Sequence, residues 1–128
     1  MIGLISFNYK NTPLDIREKL YLDDNDKSIL YKIFKNSKLI NGTFIISTCN
    51  RTEVYFECKC REITKIIHFL VASIVNYKKY SESVSPYIQK KIDHEVIKHI
   101  FSLACGLKSM LIGEYQIVDQ IKKSYAFA

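Results

Sequence analysis

Thr43-Phe44-Ile45-Ile46-Ser47-Thr48-Cys49-Asn50-Arg51-Thr52-Glu53-Val54-Tyr55-Phe56-Glu57-Cys58 is the stretch that decides the fold. Residues 43–47 form a short run of apolar, largely β-branched and aromatic side chains, the composition of a core strand. From Thr52 onward the pattern alternates. Val54, Phe56 and Cys58 fall on one side and Glu53, Tyr55 and Glu57 on the other, which predicts a strand with one wet face. A short polar link joins the two runs and carries a thiol at its tip, so they read as a hairpin.

Upstream, residues 2–8 (Ile-Gly-Leu-Ile-Ser-Phe-Asn) are compact and apolar enough for a buried strand. Thr12, Pro13 and Asp15 read as a helix start, with the hydroxyl as cap and proline in the first helical position. A second helix is expected after Asp24, where Ile29, Leu30, Ile33 and Phe34 recur at helical spacing, and Asn41-Gly42 marks a turn. Downstream, residues 61–80 carry Ile63, Ile66, Ile67, Leu70, Ile74 and Val75 on an amphipathic helix of about five turns. A loop over 81–86 and an edge strand over 87–92 follow. Asp93 then caps a helix bearing Val96, Ile97, Ile100, Phe101 and Ala104, ending near Gly106, and a last helix starts around Gly113. The order predicts an α+β fold, a split β-α-β-β-α-β (ferredoxin-like) sheet with additional C-terminal helices. The closing helix reaches Ala128 without a glycine or proline stop, so a longer parent chain is expected.

A chain of 128 residues, 48% hydrophobic and 25% charged, fits one globular domain spanning 1–128 with a core that needs no metal or disulfide staple. No apolar run approaches the roughly 18 residues of a membrane span. Met1-Ile2-Gly3-Leu4 lacks the cationic start of a secretory signal, so a cytoplasmic location is expected. Lys and Arg (19) outnumber Asp and Glu (13), a balance that suits a polyanionic partner such as RNA. The four cysteines, Cys49, Cys58, Cys60 and Cys105, lack zinc-site spacing, and their default role is that of small buried hydrophobes.

Cys49 stands apart. A thiol on a polar turn is open to reaction, and the adjacent Arg51 would favour its thiolate, while Ser47, Thr48 and Asn50 offer groups that could orient a carbonyl. The alternative reading, an inert cysteine in an ordinary hairpin, stays open on composition alone. His99 is either a half-buried helix histidine or an acid/base and orienting group near Cys49. His68 and His94 receive no role. The glycine-bracketed segment 106–116 reads as an interhelical connection, and Lys90, Lys91, Lys98, Lys108, Lys122 and Lys123 bias the C-terminal third toward positive charge.

Three of these segments together resemble one family. Ser47-Thr48-Cys49-Asn50-Arg51-Thr52-Glu53-Val54-Tyr55 is similar to the S-T-C-N-R-T-E-V-Y signature of the glutamyl-tRNA reductases, in their N-terminal catalytic domain. Residues 106–116 resemble that family's G-L-D-S-M-[VL]-[LI]-G-E-P-Q, and residues 8–20 its N-H-[KR]-T-A-P-x-x-x-R-E-x-L opening. The motifs come in the family's order and cover nearly the whole chain. Tyr9 stands where the opening usually has His, Asn11 and Thr12 replace Thr-Ala, Lys108 replaces an acidic residue and Tyr115 replaces Pro.

The resemblance implies an enzyme of the first step of tetrapyrrole synthesis. Cys49 would attack the ester joining glutamate to glutamyl-tRNA(Glu), and NADPH would reduce the resulting thioester to glutamate 1-semialdehyde. By the family pattern Thr48, Cys49, Asn50, Arg51, Ser109, Glu114, Tyr115, Gln116 and Gln120 surround the glutamyl group. Arg51 would meet its carboxylate and Glu114 its amine, and His99 matches a histidine needed for activity. NADPH would be bound by a domain absent from this chain, where no G-x-G-x-x-G occurs, and no metal is implied. The family also implies a homodimeric full-length protein, with the fragment a monomer, and admits glutamate-1-semialdehyde aminomutase as a partner. A reading from another class, a non-catalytic basic RNA-binding domain, rests on the charge alone.

Overall fold

The computed structural model describes residues 1–59 and 62–105. Its elements are β1 (Ile2–Asn8), α1 (Leu14–Lys19), α2 (Asp24–Asn36), β2 (Gly42–Ser47), β3 (Arg51–Glu57), α3 (Ile63–Tyr77), a 3-10 turn (Ser85–Tyr87), β4 (Gln89–Ile92) and α4 (His94–Ala104). The strands lie in the order β2-β3-β1-β4, and every neighbouring pair is antiparallel. Each helical crossover therefore skips one strand, α1 and α2 on the way from β1 to β2 and α3 on the way from β3 to β4. This is the split arrangement expected from the element order. Cys60 and the expected last helix fall outside the described residues.

Alternation along the strands divides the sheet into two faces. Ile5, Phe7, Ile45, Val54, Phe56 and Cys58 join Leu30 and Phe34 of α2 and Ile66, Leu70 and Ile74 of α3 in the larger core. Each fully buried aliphatic side chain there contributes about 1.5–3 kcal/mol. Gly3 pairs directly with Phe56, and a Cβ on Gly3 would stand 2.3 Å from the Phe56 ring. The glycine lets the ring lie across β1.

The opposite face differs from expectation. β3 has no wet side: only Glu57 of its seven residues is exposed, because α4 covers Glu53 and Tyr55. Alternation in the sequence marked which residues share a face, while coverage depends on a helix some forty residues further on. Leu4, Ile46, Tyr55, Val96 and Leu103 form this second, smaller core. The buried stripe of α4 is Val96, His99 and Leu103, whereas Ile97 and Phe101 are 54% and 70% exposed. The helix is thus rotated away from the apolar register that the sequence suggested, and a histidine faces inward.

Two helix starts also differ from the expected capping. The Thr12 hydroxyl donates to the Tyr87 carbonyl at 3.0 Å instead of capping α1, whose N-cap is Pro13. Asp93 adopts a positive φ of 50° and makes no side-chain cap; its Oδ1 accepts the Ile2 amide and ties the start of α4 to β1. α3 is shorter than expected, at 15 residues.

α2 carries a capping box, in which Asp26 N–H donates to Asp23 Oδ1 and Asp23 N–H to Asp26 Oδ2. The same Asp26 carboxylate accepts the Tyr77 hydroxyl at 2.6 Å and meets Lys78 at 3.4 Å, joining α2 to the end of α3. Burial works against its ionisation. The Tyr77 hydroxyl, the Asp23 amide and Lys78 outweigh that and hold it below the ordinary carboxylate value. Bonding to Asp26 in turn pushes the Tyr77 phenol up to about 12. Asp26→Ala should cost about 1–2 kcal/mol, read as a lower thermal midpoint. Because the carboxyl is depressed in the folded state, its contribution is complete above the ordinary carboxylate range and lost as pH falls through the lowered value. The gap between wild type and Asp26→Ala should therefore close on acidification, and a gap that persists unchanged to strongly acid pH would contradict the assignment.

Candidate functional site

The β2–β3 hairpin turns at Thr48-Cys49-Asn50. Thr48 N–H donates to the Arg51 carbonyl at 2.7 Å, and Thr48 Oγ1 accepts the Asn50 amide at 3.1 Å, so the turn is closed by its own threonine. Cys49 is exposed at the tip, while Thr48, Asn50 and Arg51 are buried beside it. Arg17 of α1 reaches this tip from another element, with Nη1 3.3 Å from the Cys49 carbonyl and 3.5 Å from that of Asn50.

Arg51 is turned elsewhere. Its Nη1 lies 3.4 Å from Glu53 Oε2, and its guanidinium sits over the Tyr9 ring at 5.6 Å. Tyr9, the residue standing in place of the usual histidine, thus serves as an aromatic platform for the arginine. Among the described residues, a cation bonded to the turn that carries Cys49 is Arg17, from a helix 32 residues earlier in the chain.

Behind the turn lies a polar cluster that the sequence reading did not single out. Glu53, completely buried, accepts four donors. Ser6 Oγ (2.6 Å), His99 Nε2 (2.8 Å) and Arg51 Nη1 (3.4 Å) converge on Oε2, and the Tyr55 hydroxyl (2.8 Å) binds Oε1. An ionised carboxylate is acceptor-only and can satisfy all four. Burial alone would raise its pKa. The His99 imidazole, the Arg51 guanidinium and the Ser6 hydroxyl outweigh burial and hold Glu53 below the ordinary value. Tyr55 shifts the other way, its phenol driven well up by burial and by the charge it faces. Ser6 Oγ also accepts Asn8 Nδ2 at 3.0 Å, and Asn8 Nδ2 donates to Gln89 Oε1 at 2.9 Å. The cluster therefore runs from β4 through β1 to β3 and ends on α4. The alternation of Ser6 and Asn8 with Leu4, on the same face as Glu53, was the available signal for it.

Ser47, expected near a bound carbonyl, is occupied on the other side of the sheet. Its hydroxyl accepts the Leu22 amide at 2.9 Å and lies 2.9 Å from Thr52 Oγ1. His99 is fully buried, not half-buried, and is joined to Glu53. Lys90 and Lys91 lie on edge strand β4, and Lys98 on the exposed side of α4. Ser109, Glu114, Tyr115, Gln116 and Gln120 lie outside the described residues. An apolar cavity of about 440 Å³ at the opposite end of the sheet, lined by Ile2, Phe44, Val96 and Ile100, shares only Tyr55 with the cluster. Among the described residues no group of His, Cys, Asp and Glu could hold a metal ion, and no helix is long and apolar enough to cross a membrane.

Fold and site together define a split β-α-β-β-α-β domain with an exposed thiol at a hairpin tip and a buried carboxylate–imidazole–guanidinium cluster behind it. Residues 5–128 match the family model described as glutamyl-tRNAGlu reductase, N-terminal domain. The chain belongs to the glutamyl-tRNA reductase N-terminal domain family. It is 36% identical over 125 residues to a glutamyl-tRNA reductase of Shouchella clausii, covering 97% of this chain and 27% of that protein. To one of Clostridium novyi it is 39% identical over 132 residues, covering 99% and 30%. The chain thus spans less than a third of these curated relatives. The solved structure of glutamyl-tRNA reductase from Methanopyrus kandleri shares the fold, with a TM-score of 0.71 and 23% identity across 98% of this chain and 27% of that one.

Among the described cysteines, exposure excludes Cys58, which is 1% accessible, as a rapidly reacting thiol, but leaves Cys49 and Cys105 both open. Cys49 sits on a turn that Arg17 holds through the Cys49 and Asn50 carbonyls, which fixes the thiol at the tip. Iodoacetamide with peptide mapping should label Cys49 ahead of Cys105, with Cys58 protected until unfolding. Arg17→Ala should slow Cys49 and leave Cys105 unchanged; equal slowing of both would remove Arg17 from the account.

Proposed function

We propose that this chain performs the acyl-transfer half of the glutamyl-tRNA reductase reaction, with Cys49 as nucleophile and glutamyl-tRNA(Glu) as substrate. The observation that supports this reading most directly is the exposed Cys49 at the tip of a turn that is bonded by Arg17 and backed by the Glu53 cluster. A thiolate is a strong nucleophile at neutral pH, and its attack on the aminoacyl ester carbonyl would form a thioester as the ribose oxygen departs. Arg51, held by Glu53 on one side and Tyr9 on the other, would offer the glutamyl carboxylate a guanidinium whose position is already fixed. Thr48 and Asn50 shape the turn beside the thiol, and His99 contributes from α4. By the family pattern, Ser109, Glu114, Tyr115, Gln116 and Gln120 would add to the proposed glutamyl pocket.

Reduction of the thioester to glutamate 1-semialdehyde requires NADPH, and the described residues do not fit that cofactor. The sheet is wholly antiparallel, without the β-α-β turn at a helix N-terminus that cradles a dinucleotide phosphate. No reductive step is therefore assigned to these residues. The full reaction, its place at the entry to tetrapyrrole synthesis, a cytoplasmic location and homodimer formation are proposed for the longer protein of which the relatives are examples.

Intact-mass measurement after mixing with glutamyl-tRNA tests the reading. A mass gain of one glutamyl residue, reversed by hydroxylamine and absent from Cys49→Ser, is the expected outcome. Slow release of free glutamate should be the only turnover, and Cys49→Ser should lose it, since an unassisted serine hydroxyl is a far weaker nucleophile. An adduct that survives Cys49→Ser would overturn the assignment of the nucleophile. Salt-sensitive tRNA binding with no adduct would favour the non-catalytic RNA-binding reading instead.

A further inference from the structure

The acyl transfer proposed above needs proton traffic. The S–C bond forms as the thiol loses its proton, and the C–O bond to the ribose breaks as that oxygen gains one. His99 is the histidine within the cluster, and its two ring nitrogens are in different situations. Nε2 is 2.8 Å from Glu53 Oε2, whereas Nδ1 is buried and has no hydrogen-bond partner among the described residues.

We infer that Glu53 is a positioning residue that fixes the His99 ring, with its proton on Nε2, and the Arg51 guanidinium behind the hairpin tip. Three observations carry this. Glu53 faces only donors, so the nitrogen opposite it must carry hydrogen. The carboxylate is anchored by Ser6 of β1 and by Arg51 and Tyr55 of β3, so the imidazole is referred to the rigid centre of the sheet and not to its own helix. Arg51 shares Oε2 with His99, so one carboxylate sets the positions of both the proposed carboxylate-binding guanidinium and the imidazole. The arrangement is that of a carboxylate orienting a histidine. Among the described residues, the titratable groups around the ring are Glu53, Arg51 and Tyr55, while Glu95 and Lys98 of α4 are exposed.

The inference rests on the thioester reading for its rate effect but not for its structural content, so two measurements are made. Imidazole ¹⁵N spectra of the wild-type chain should show neutral His99 protonated at Nε2; the Nδ1-protonated form would overturn the inference whatever the activity. Single-turnover acylation by glutamyl-tRNA should slow about 10- to 100-fold in Glu53→Gln, whose amide can present a donor to the ring, and the half-saturating tRNA concentration should rise as well, because Arg51 loses the same carboxylate. Glu53→Asp should recover part of the rate. The pH–rate profile of Glu53→Gln should differ from that of the wild type, because a buried carboxylate is replaced by a neutral amide. A folded Glu53→Gln that acylates at the wild-type rate with the same profile would also overturn it. If the wild type forms no adduct, the thioester reading fails by itself, and the spectra still decide whether Glu53 orients His99.

Discussion

The Glu53 carboxylate is the constraint on which the second face of this domain is built. It sits on β3, the strand flanked by both β2 and β1, and it is completely buried. A charge in that position is tolerated only if its oxygens are filled, and four donors from two strands and one helix fill them. Each donor is thereby committed. Ser6 must lie on the α4 side of β1, Arg51 must fold inward from the hairpin, and α4 must cross with His99 inward. The rotation of α4 follows: Ile97 and Phe101 stay exposed because the helix turns its histidine to the carboxylate.

The two faces of the sheet thus do different work. The face under α2 and α3 is almost wholly apolar, and its helices are joined at their ends by the Asp26–Tyr77–Lys78 contacts. The face under α4 combines a small apolar cluster with the polar chain from Gln89 through Asn8 and Ser6 to Glu53. Strand alternation is what permits the separation, since a single strand such as β3 supplies Val54 and Phe56 to one face and Arg51 and Glu53 to the other.

What could be read from the sequence divides along the same line. β1, the β2–β3 hairpin and α3 were legible because each signals through local composition and period, and the element order then fixed the split topology. The hairpin tip with its thiol was legible for the same reason. Glu53 was not, because a glutamate alternating with valine and phenylalanine has the same local signature whether it faces water or a helix. Arg17 was missed because its nearness to Cys49 spans 32 residues. Arg51 was placed beside the thiol by sequence adjacency, whereas the pleat carries its side chain toward Glu53. Thr12 was taken for a cap because threonine before proline usually is one; here the Tyr87 carbonyl takes its hydroxyl.

The cluster is hard to explain as a device for stability. A buried ion pair recovers its desolvation cost only with very good geometry, and replacement by apolar residues of similar volume is often neutral or stabilising. The Arg51–Glu53 contact, at 3.4 Å through one nitrogen, is not the tight bidentate pairing that would offset that cost by itself. The short contacts are instead those from Ser6 and His99, at 2.6 and 2.8 Å, and the histidine nitrogen beyond them has no partner among the described residues. Four donors on one carboxylate fix the directions of an arginine and a histidine at once, and that fits a cluster whose task is to position side chains behind the hairpin tip.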